Sequence, residues 1–409
     1  METFVARQAI FDRRRTLDAY ELLYRANGLS NQFDGQDSFS ATQQVIASTL
    51  LSIGLENVAG GKKAFLNFDD HLLLDEAYLS LPQQGIVIEI LESVDPSPEL
   101  IKVCQRIRQQ GYSIALDDFV WSPAAEPLID IADLIKIDIH VTSRAEQGRL
   151  LDIGRSRGIA MLAEKVETHE EFEWAWKAGY DFFQGYFFAR PVIVRGHQIP
   201  TAKTNCLRLL REIQQPDIDF QQLAALIRQD VSLAHKLLRY ANSALFGRRE
   251  RFDSISRVLM VIGEKEIRRW VTLAVLPSLA TDKPSELLTL SIVRARFCER
   301  LAQTMDDRIQ DKAFLMGMFS TLDALVDRPL EEALQEVNLD PDINRALLGM
   351  APERDPLACI NFLTRCNEFG DWDQVERLSQ YCGIPLGAVS DAYVEATVWA
   401  EVAMRAARI

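Results

Sequence analysis

The first half of the chain alternates two hydrophobic patterns. Short apolar runs, VARQAIF, TLDAYELLY, KAFLNFD, IVIEILE, SIALDDF, LIKIDIH, AMLAEKVE and YDFFQGYFF, are mostly separated by stretches whose apolar residues recur at helical spacing, as in PELIKVCQRIRQQG. Runs of this length bounded by polar turns predict strands, and the helical period between them predicts crossover helices. Seven of the runs deliver an acid, an amide or a lysine near their C-terminal ends, in the order Glu21, Asn67, Glu89, Asp117, Lys136, Glu164 and Gln184. After the first gap these positions recur every ~20–30 residues, the length of one strand, one helix and two loops in an alternating β/α barrel. The C-terminal strand ends of such a barrel converge on one mouth, so these residues are expected to meet at a point acidic enough to demand cations.

The first two runs depart from the repeat. Only DRRR separates them, too short for the crossover that parallel neighbours require, so they are expected to pair antiparallel. Counting this hairpin, eight strands are available, enough to close a small barrel. The segment DSFSATQQVIASTLLSIG predicts the first helix, with Gly54 as its C-cap. Within a strand, Lys136 and Asp138 share a face, whereas Asp117 and Asp118 face opposite ways, so both aspartates reach one site only where the strand ends or bulges. Glu167 is by the same parity a loop residue.

Strand patterns nearly vanish after VIVRGHQIPTAK, residues 192–203, which is the predicted linker. In FQQLAALIRQDVSLAHKLLRYANSALFG, Leu223, Leu226 and Ile227, then Leu233, Leu237 and Ala241, fall at helical spacing, which predicts packed amphipathic helices. The expected architecture is therefore α/β plus all-α, with a barrel over residues 1–195 and a helical domain over 204–409. A chain of 409 residues is long enough for two cores. No apolar run approaches the ~18 residues needed to cross a bilayer, and METFVARQAIFDRRR lacks a signal-peptide core, so no membrane insertion and a cytoplasmic location are expected. The net charge of -14 argues against a nucleic acid polymer as partner, since that affinity rests on neutralising phosphates; a small anionic nucleotide held through metals remains compatible. The six cysteines are dispersed without a Cys-x-x-Cys pair, which favours reduced, mostly buried thiols.

The ordered motifs ELLYR, LNFD, IEILE, LDDF, IKID, AEKVE and FFQGYFFARP resemble the EAL family of cyclic di-GMP phosphodiesterases over about residues 1–200. Glu21-Leu22-Leu23 stands where the family has Glu-Ala-Leu. The resemblance implies an EAL-type TIM-like barrel with one antiparallel strand. It implies Mg²⁺ or Mn²⁺ as cofactor, with Glu21, Asn67, Glu89 and Asp117 as ligands of a first ion and Asp118 as ligand of a second; all are hard oxygen donors. Glu164 then resembles the carboxylate that activates the attacking water, Lys136 its charge-stabilising neighbour, and Gln184 a hydrogen-bonding partner at the metal site. Arg25, Leu23 and Glu21 would contact cyclic di-GMP, and Glu92 and Glu167 would support the catalytic loop. Two departures from the family are visible. Val120-Trp121-Ser122-Pro123 replaces a glycine-containing loop after the paired aspartates, predicting a stiffer segment, and Lys165 stands where the family often has glycine, placing a cation beside the site. His71, His140 and His169 match none of the motifs and are expected at the surface or in packing.

The run QDVSLAHKLLRYANSALFG followed by SISRVLMVIGEKEIRRWV resembles the HDOD domain, a helical relative of the HD phosphohydrolases, through roughly residues 204–400. An HD metal centre needs several histidines as well as aspartates, yet His235 is the one histidine in this half, and GMFSTLDAL puts Ser320 and Thr321 where a His-Asp pair would stand. This implies a non-catalytic regulatory domain with a protein partner, and a homodimer is compatible with it. The expected function is hydrolysis of cyclic di-GMP to linear pGpG by two-metal catalysis. The alternative is a receptor or adaptor that acts through protein contacts.

Overall fold

The computed structural model describes residues 3–26, 59–190, 201–215, 217–230, 233–234, 237, 254–352 and 354–408. It opens with β1 (Thr3–Asp12) and β2 (Leu17–Ala26), joined by a tight turn that Asp12 organises. The Asp12 carboxylate accepts the backbone N–H of Arg14 and of Thr16, each at 2.8 Å, while Arg15 takes a positive φ of 60°. The two strands pair antiparallel, as the short turn requires.

Six further strands follow: β3 (Lys63–Phe68), β4 (Ile86–Ile90), β5 (Ser113–Leu116), β6 (Leu134–Asp138), β7 (Ala160–Glu164) and β8 (Phe182–Gln184). Each is parallel to its predecessor from β2 onward, and β8 closes the barrel by pairing antiparallel with β1. This is the eight-stranded barrel with one antiparallel strand that the pattern predicts. The helix expected at residues 37–54 lies outside the described residues.

Side-chain alternation builds the interior in layers. Ile10, Ala19, Phe65, Val87, Ala115, Leu134 and Leu162 form a buried apolar cluster, with Phe182 packed against it, one residue from each strand. Two positions further toward the mouth, and therefore on the same face, come Gln8, Glu21, Asn67, Glu89, Asp117, Lys136, Glu164 and Gln184. The apolar layer is a floor under a polar ring.

Crossover helices are punctuated as the sequence suggests. Helix α1 (Pro98–Gln109) starts on Ser97, whose Oγ accepts from Leu100 N–H, with Pro98 in the first turn. Helix α2 (Arg144–Arg157) starts on Ser143, and α3 (His169–Ala178) on a capping box of Thr168 and Glu171; glycines in the left-handed region end both. Each apolar face lies against the outside of the barrel.

The remainder is helical. Helix α4 (Thr201–Ile213) begins within the predicted linker, because Lys203 is buried there: its ammonium bonds the Leu325 carbonyl at 2.7 Å and Asp282 at 2.6 Å. The rest of that linker lies outside the described residues, as do His235 and Ala241. Helices α5 (Glu264–Leu279), α6 (Ser285–Met305), α7 (Gln310–Phe319), α8 (Pro356–Glu368) and α9 (Leu386–Arg408) follow among shorter ones, with α6 packed between α7 and α9.

This helical half covers the outer face of β1 and β2. Tyr20 Oη donates to Glu286 at 2.6 Å, the Arg7 guanidinium lies 4.2 Å over the Tyr20 ring, and the Arg7 N–H reaches Tyr393 Oη at 3.2 Å. Burial raises the Glu286 carboxyl above its ordinary range, although Arg7 and Tyr20 offset part of that cost. Near the mouth, Tyr186 packs 4.7 Å from Phe369, and Gly370 abuts Leu23.

Candidate active site

Lys136 stands at the centre of the polar ring, 1% exposed, with its ammonium against four carboxylates. It lies 3.1 Å from Glu21, 3.0 Å from Asp117 and 2.8 Å from Glu164, and it also bonds Glu89. Burial pulls its pKa down, but the charges of Glu164, Glu21, Glu89 and Asp117 outweigh that and hold the ammonium protonated. Asn67 donates to Glu21 at 3.0 Å, while Gln184 donates to Glu21 at 2.6 Å and to Gln8 at 2.9 Å. Eight residues spread over much of the barrel sequence, Gln8 among them, are thus linked in one network.

The ring carries more negative than positive charge. Burial, compounded by Glu21, raises Glu89 well above the ordinary carboxylate range, and burial likewise raises Glu164, each despite the pull of Lys136. Carboxylate oxygens of Glu21, Glu89 and Glu164 lie within 4.8 Å of one another. Glu89 Oε2, Glu164 Oε2 and Gln184 Oε1 are buried with no hydrogen-bond partner among the described residues. A hard divalent cation fits this set, since it would neutralise the excess charge and engage these oxygens.

Asp117 and Asp118 resolve the parity problem by strand termination. Strand β5 stops at Leu116, and Asp118 turns into the left-handed region at φ 38°. Asp117 therefore faces Lys136, and Asp118 faces Lys165, whose Nζ is 3.5 Å from Asp118 and 2.5 Å from Asp138. Lys165 also holds a positive φ, 57°. The cation expected beside the site is present. In the altered loop, the positive φ falls on Asp118 and not on Val120; Phe119 is buried and donates its N–H to the Lys136 carbonyl, while Trp121 bonds Glu126 at the surface.

Glu92 and Glu167 lie on the loops after β4 and β7, exposed and outside the buried cluster; Glu167 is 3.9 Å from Arg190. Leu23 is partly buried on β2, and the Arg25 backbone belongs to the same strand. His71 is exposed, His140 contacts the Lys165 carbonyl and His169 the Arg190 carbonyl. Sequence reasoning missed two contributors. Gln8 sits opposite Glu21 in the hairpin register, which a β1/β2 alignment would have indicated, and Asp138 was flagged only by its shared face with Lys136.

The helical half holds a different polar cluster. Arg294 makes paired bonds to Glu368 at 2.8 and 2.7 Å and a third to Ser320 at 3.1 Å, and Thr321 bonds Ser291. All five are buried. No group of metal-ligating side chains comparable to the barrel's occurs there among the described residues. Among the described residues none of the six cysteines is in a disulfide, and five of them are buried; no described helix is long and apolar enough to cross a membrane.

Comparison with known proteins agrees with this layout. The EAL domain model matches residues 37–191 and the HDOD domain model residues 199–339. The EAL match starts beyond β2, so Glu21 is tied to the site by its contacts with Asn67, Lys136 and Gln184. The cyclic di-GMP phosphodiesterase CdgJ of Vibrio cholerae is 37% identical over 98% of this chain and 92% of its own length. YuxH of Bacillus subtilis is 34% identical over 98% of each chain. The solved calcium and cyclic di-GMP complex of Klebsiella pneumoniae BlrP1 is 24% identical over 47% of this chain and 56% of that one, with a TM-score of 0.38. With its two domain matches and full-length relatives, the chain belongs to the family of EAL–HDOD proteins.

Proposed function

We propose that the protein hydrolyses cyclic di-GMP to linear pGpG at the mouth of the barrel. The observation that carries this reading is the convergence of Glu21, Glu89 and Glu164 oxygens within 4.8 Å around Lys136. Glu21, Asn67, Glu89 and Asp117 would hold a first Mg²⁺ or Mn²⁺, and Asp118 is the ligand available to a second. Such ions, when bound, lower the pKa of water and neutralise charge on a phosphodiester undergoing in-line displacement.

The chain's own groups supply the rest. Glu164 Oε2, buried and without a hydrogen-bond partner among the described residues, can accept the proton of an attacking water, and its burial gives it the basicity that task needs. Lys136 Nζ holds Glu164 and its neighbours in place and offsets charge developing beside them. Gln184 fixes Glu21 and Gln8. Arg25 has the planar fork suited to a phosphate, and Leu23 offers apolar contact to the ligand. Glu92 and Glu167 support the loops that frame the mouth.

The helical half, in this reading, regulates through a protein partner or a second copy of the chain. Its support is the burial of Ser320 and Thr321 in hydrogen bonds with Arg294 and Ser291, which leaves them no hydrolytic role. The test is to incubate chelator-treated protein with cyclic di-GMP, add back Mg²⁺ or Mn²⁺, and resolve the products by chromatography. Linear pGpG formed only after metal addition is expected. Tight nucleotide binding without product for either metal would replace the enzyme with a receptor.

A further inference from the structure

The contacts of Lys165 are not explained by packing. Its ammonium, on a residue 55% exposed, turns back toward the mouth to bond Asp138 at 2.5 Å and to approach Asp118 at 3.5 Å. Asp138 is a fixed anchor: its Oδ1 accepts the backbone N–H of His140 at 2.8 Å and of Val141 at 3.3 Å, and its own position on β6 is buried. The backbone of Lys165 is held as well, since its carbonyl lies 2.8 Å from His140 Nε2 and Val166 N–H bonds the Gln184 carbonyl at 2.9 Å. A left-handed φ of 57° costs a lysine energy that a glycine would not incur, so the side chain is retained against a local penalty. On the other partner, Asp118 Oδ1 is buried with no hydrogen-bond partner among the described residues, which leaves one oxygen for a ligand and one beside the ammonium.

We infer that Lys165 is a built-in cation that competes with a second divalent ion for Asp118, so that the site holds one ion tightly and the second only where that ion displaces the lysine. This rests on the phosphodiesterase reading of the barrel mouth and deepens it. The physical ground is charge. A divalent ion at Asp118 would sit close to an ammonium anchored by Asp138, and that repulsion is strong in a partly buried setting. The chain would then respond to the concentration of free divalent cation, with Lys165 as a positioning residue that sets the threshold.

The test counts ions directly. Chelator-treated wild type, Lys165→Gly, Lys165→Met and Lys165→Arg are titrated with Mn²⁺, and free ion is followed by electron paramagnetic resonance, with circular dichroism confirming the fold. Glycine suits the positive φ, methionine keeps the stem without the charge, and arginine keeps the charge. Wild type and Lys165→Arg should show one tight ion and a second at least ~10-fold weaker, whereas Lys165→Gly and Lys165→Met should bring the second midpoint toward the first by about that factor. The same two variants should reach half-maximal hydrolysis at lower Mn²⁺. Two ions binding alike in wild type and in all variants would overturn the role of Lys165 while leaving the metal-dependent phosphodiesterase standing. No bound ion in any of the four proteins would overturn both.

Discussion

Lys136 shows how one side chain can organise a site before any ligand arrives. It neutralises part of a buried carboxylate set, so removing its charge leaves Glu21, Glu89, Asp117 and Glu164 facing one another without compensation. Lys136→Met should therefore destabilise the chelator-treated protein by ~3–5 kcal/mol in urea unfolding, and Mn²⁺ should restore part of the loss by supplying the missing charge. An equal loss with and without Mn²⁺ would show that the carboxylates hold no ion. At this scale the ring was legible in the sequence wherever strand parity applied, from Glu21 to Gln184. It was not legible where strands end. The partner of Asp118 is Lys165, a contact set by two left-handed backbone turns that no periodicity reports.

Among the elements, the passage from β8 into the following turn is under the tightest steric control. Gly185 has φ 140°, and a Cβ there would lie 2.2 Å from the Val166 carbonyl oxygen, a backbone atom with little room to retreat. Gly185→Ala should cost several kcal/mol, on the order of 3, and should shift Gln184 away from Glu21, lowering hydrolysis together with the melting temperature. Wild-type stability in that variant would contradict the packing described. The loop after β5 divides into two unequal parts. Phe119 is buried, so Phe119→Ala should cost ~3–5 kcal/mol. Trp121 is 40% exposed and bonds only Glu126 among the contacts described, so Trp121→Ala should change stability by less than ~1 kcal/mol in the same unfolding assay. The eight strands were readable because each apolar run has strand length and turn-forming boundaries. The exact place where β5 stops was not, because Asp117-Asp118-Phe119 carries no glycine or proline to announce it.

For the whole molecule, the decisive feature is the contact between the helical half and the outer face of β1 and β2, immediately behind Glu21. Strand alternation puts Arg7 and Tyr20 on the face opposite Gln8 and Glu21, and only the fold shows that Glu286 covers them there. The carboxyl of Glu286 is raised by burial, so its contribution to stability is fully present below its unfolded value of 4.5 and is lost as pH rises through the higher folded value. Glu286→Gln abolishes that titration. The difference in urea midpoint between variant and wild type should move in favour of the variant as pH rises above 4.5 and through the raised folded value; a difference independent of pH would contradict the assignment. The account as a whole stands on the barrel ring being a hydrolytic centre and not merely a buried charge cluster. The most direct measurement compares nucleotide binding and turnover side by side in wild type and Glu164→Gln with Mg²⁺ or Mn²⁺ present. Wild type should convert cyclic di-GMP to linear pGpG, and the variant should bind the nucleotide comparably while turning it over ~10²–10⁴-fold more slowly. Equal turnover in the two proteins, or binding by wild type with no linear product, would contradict it.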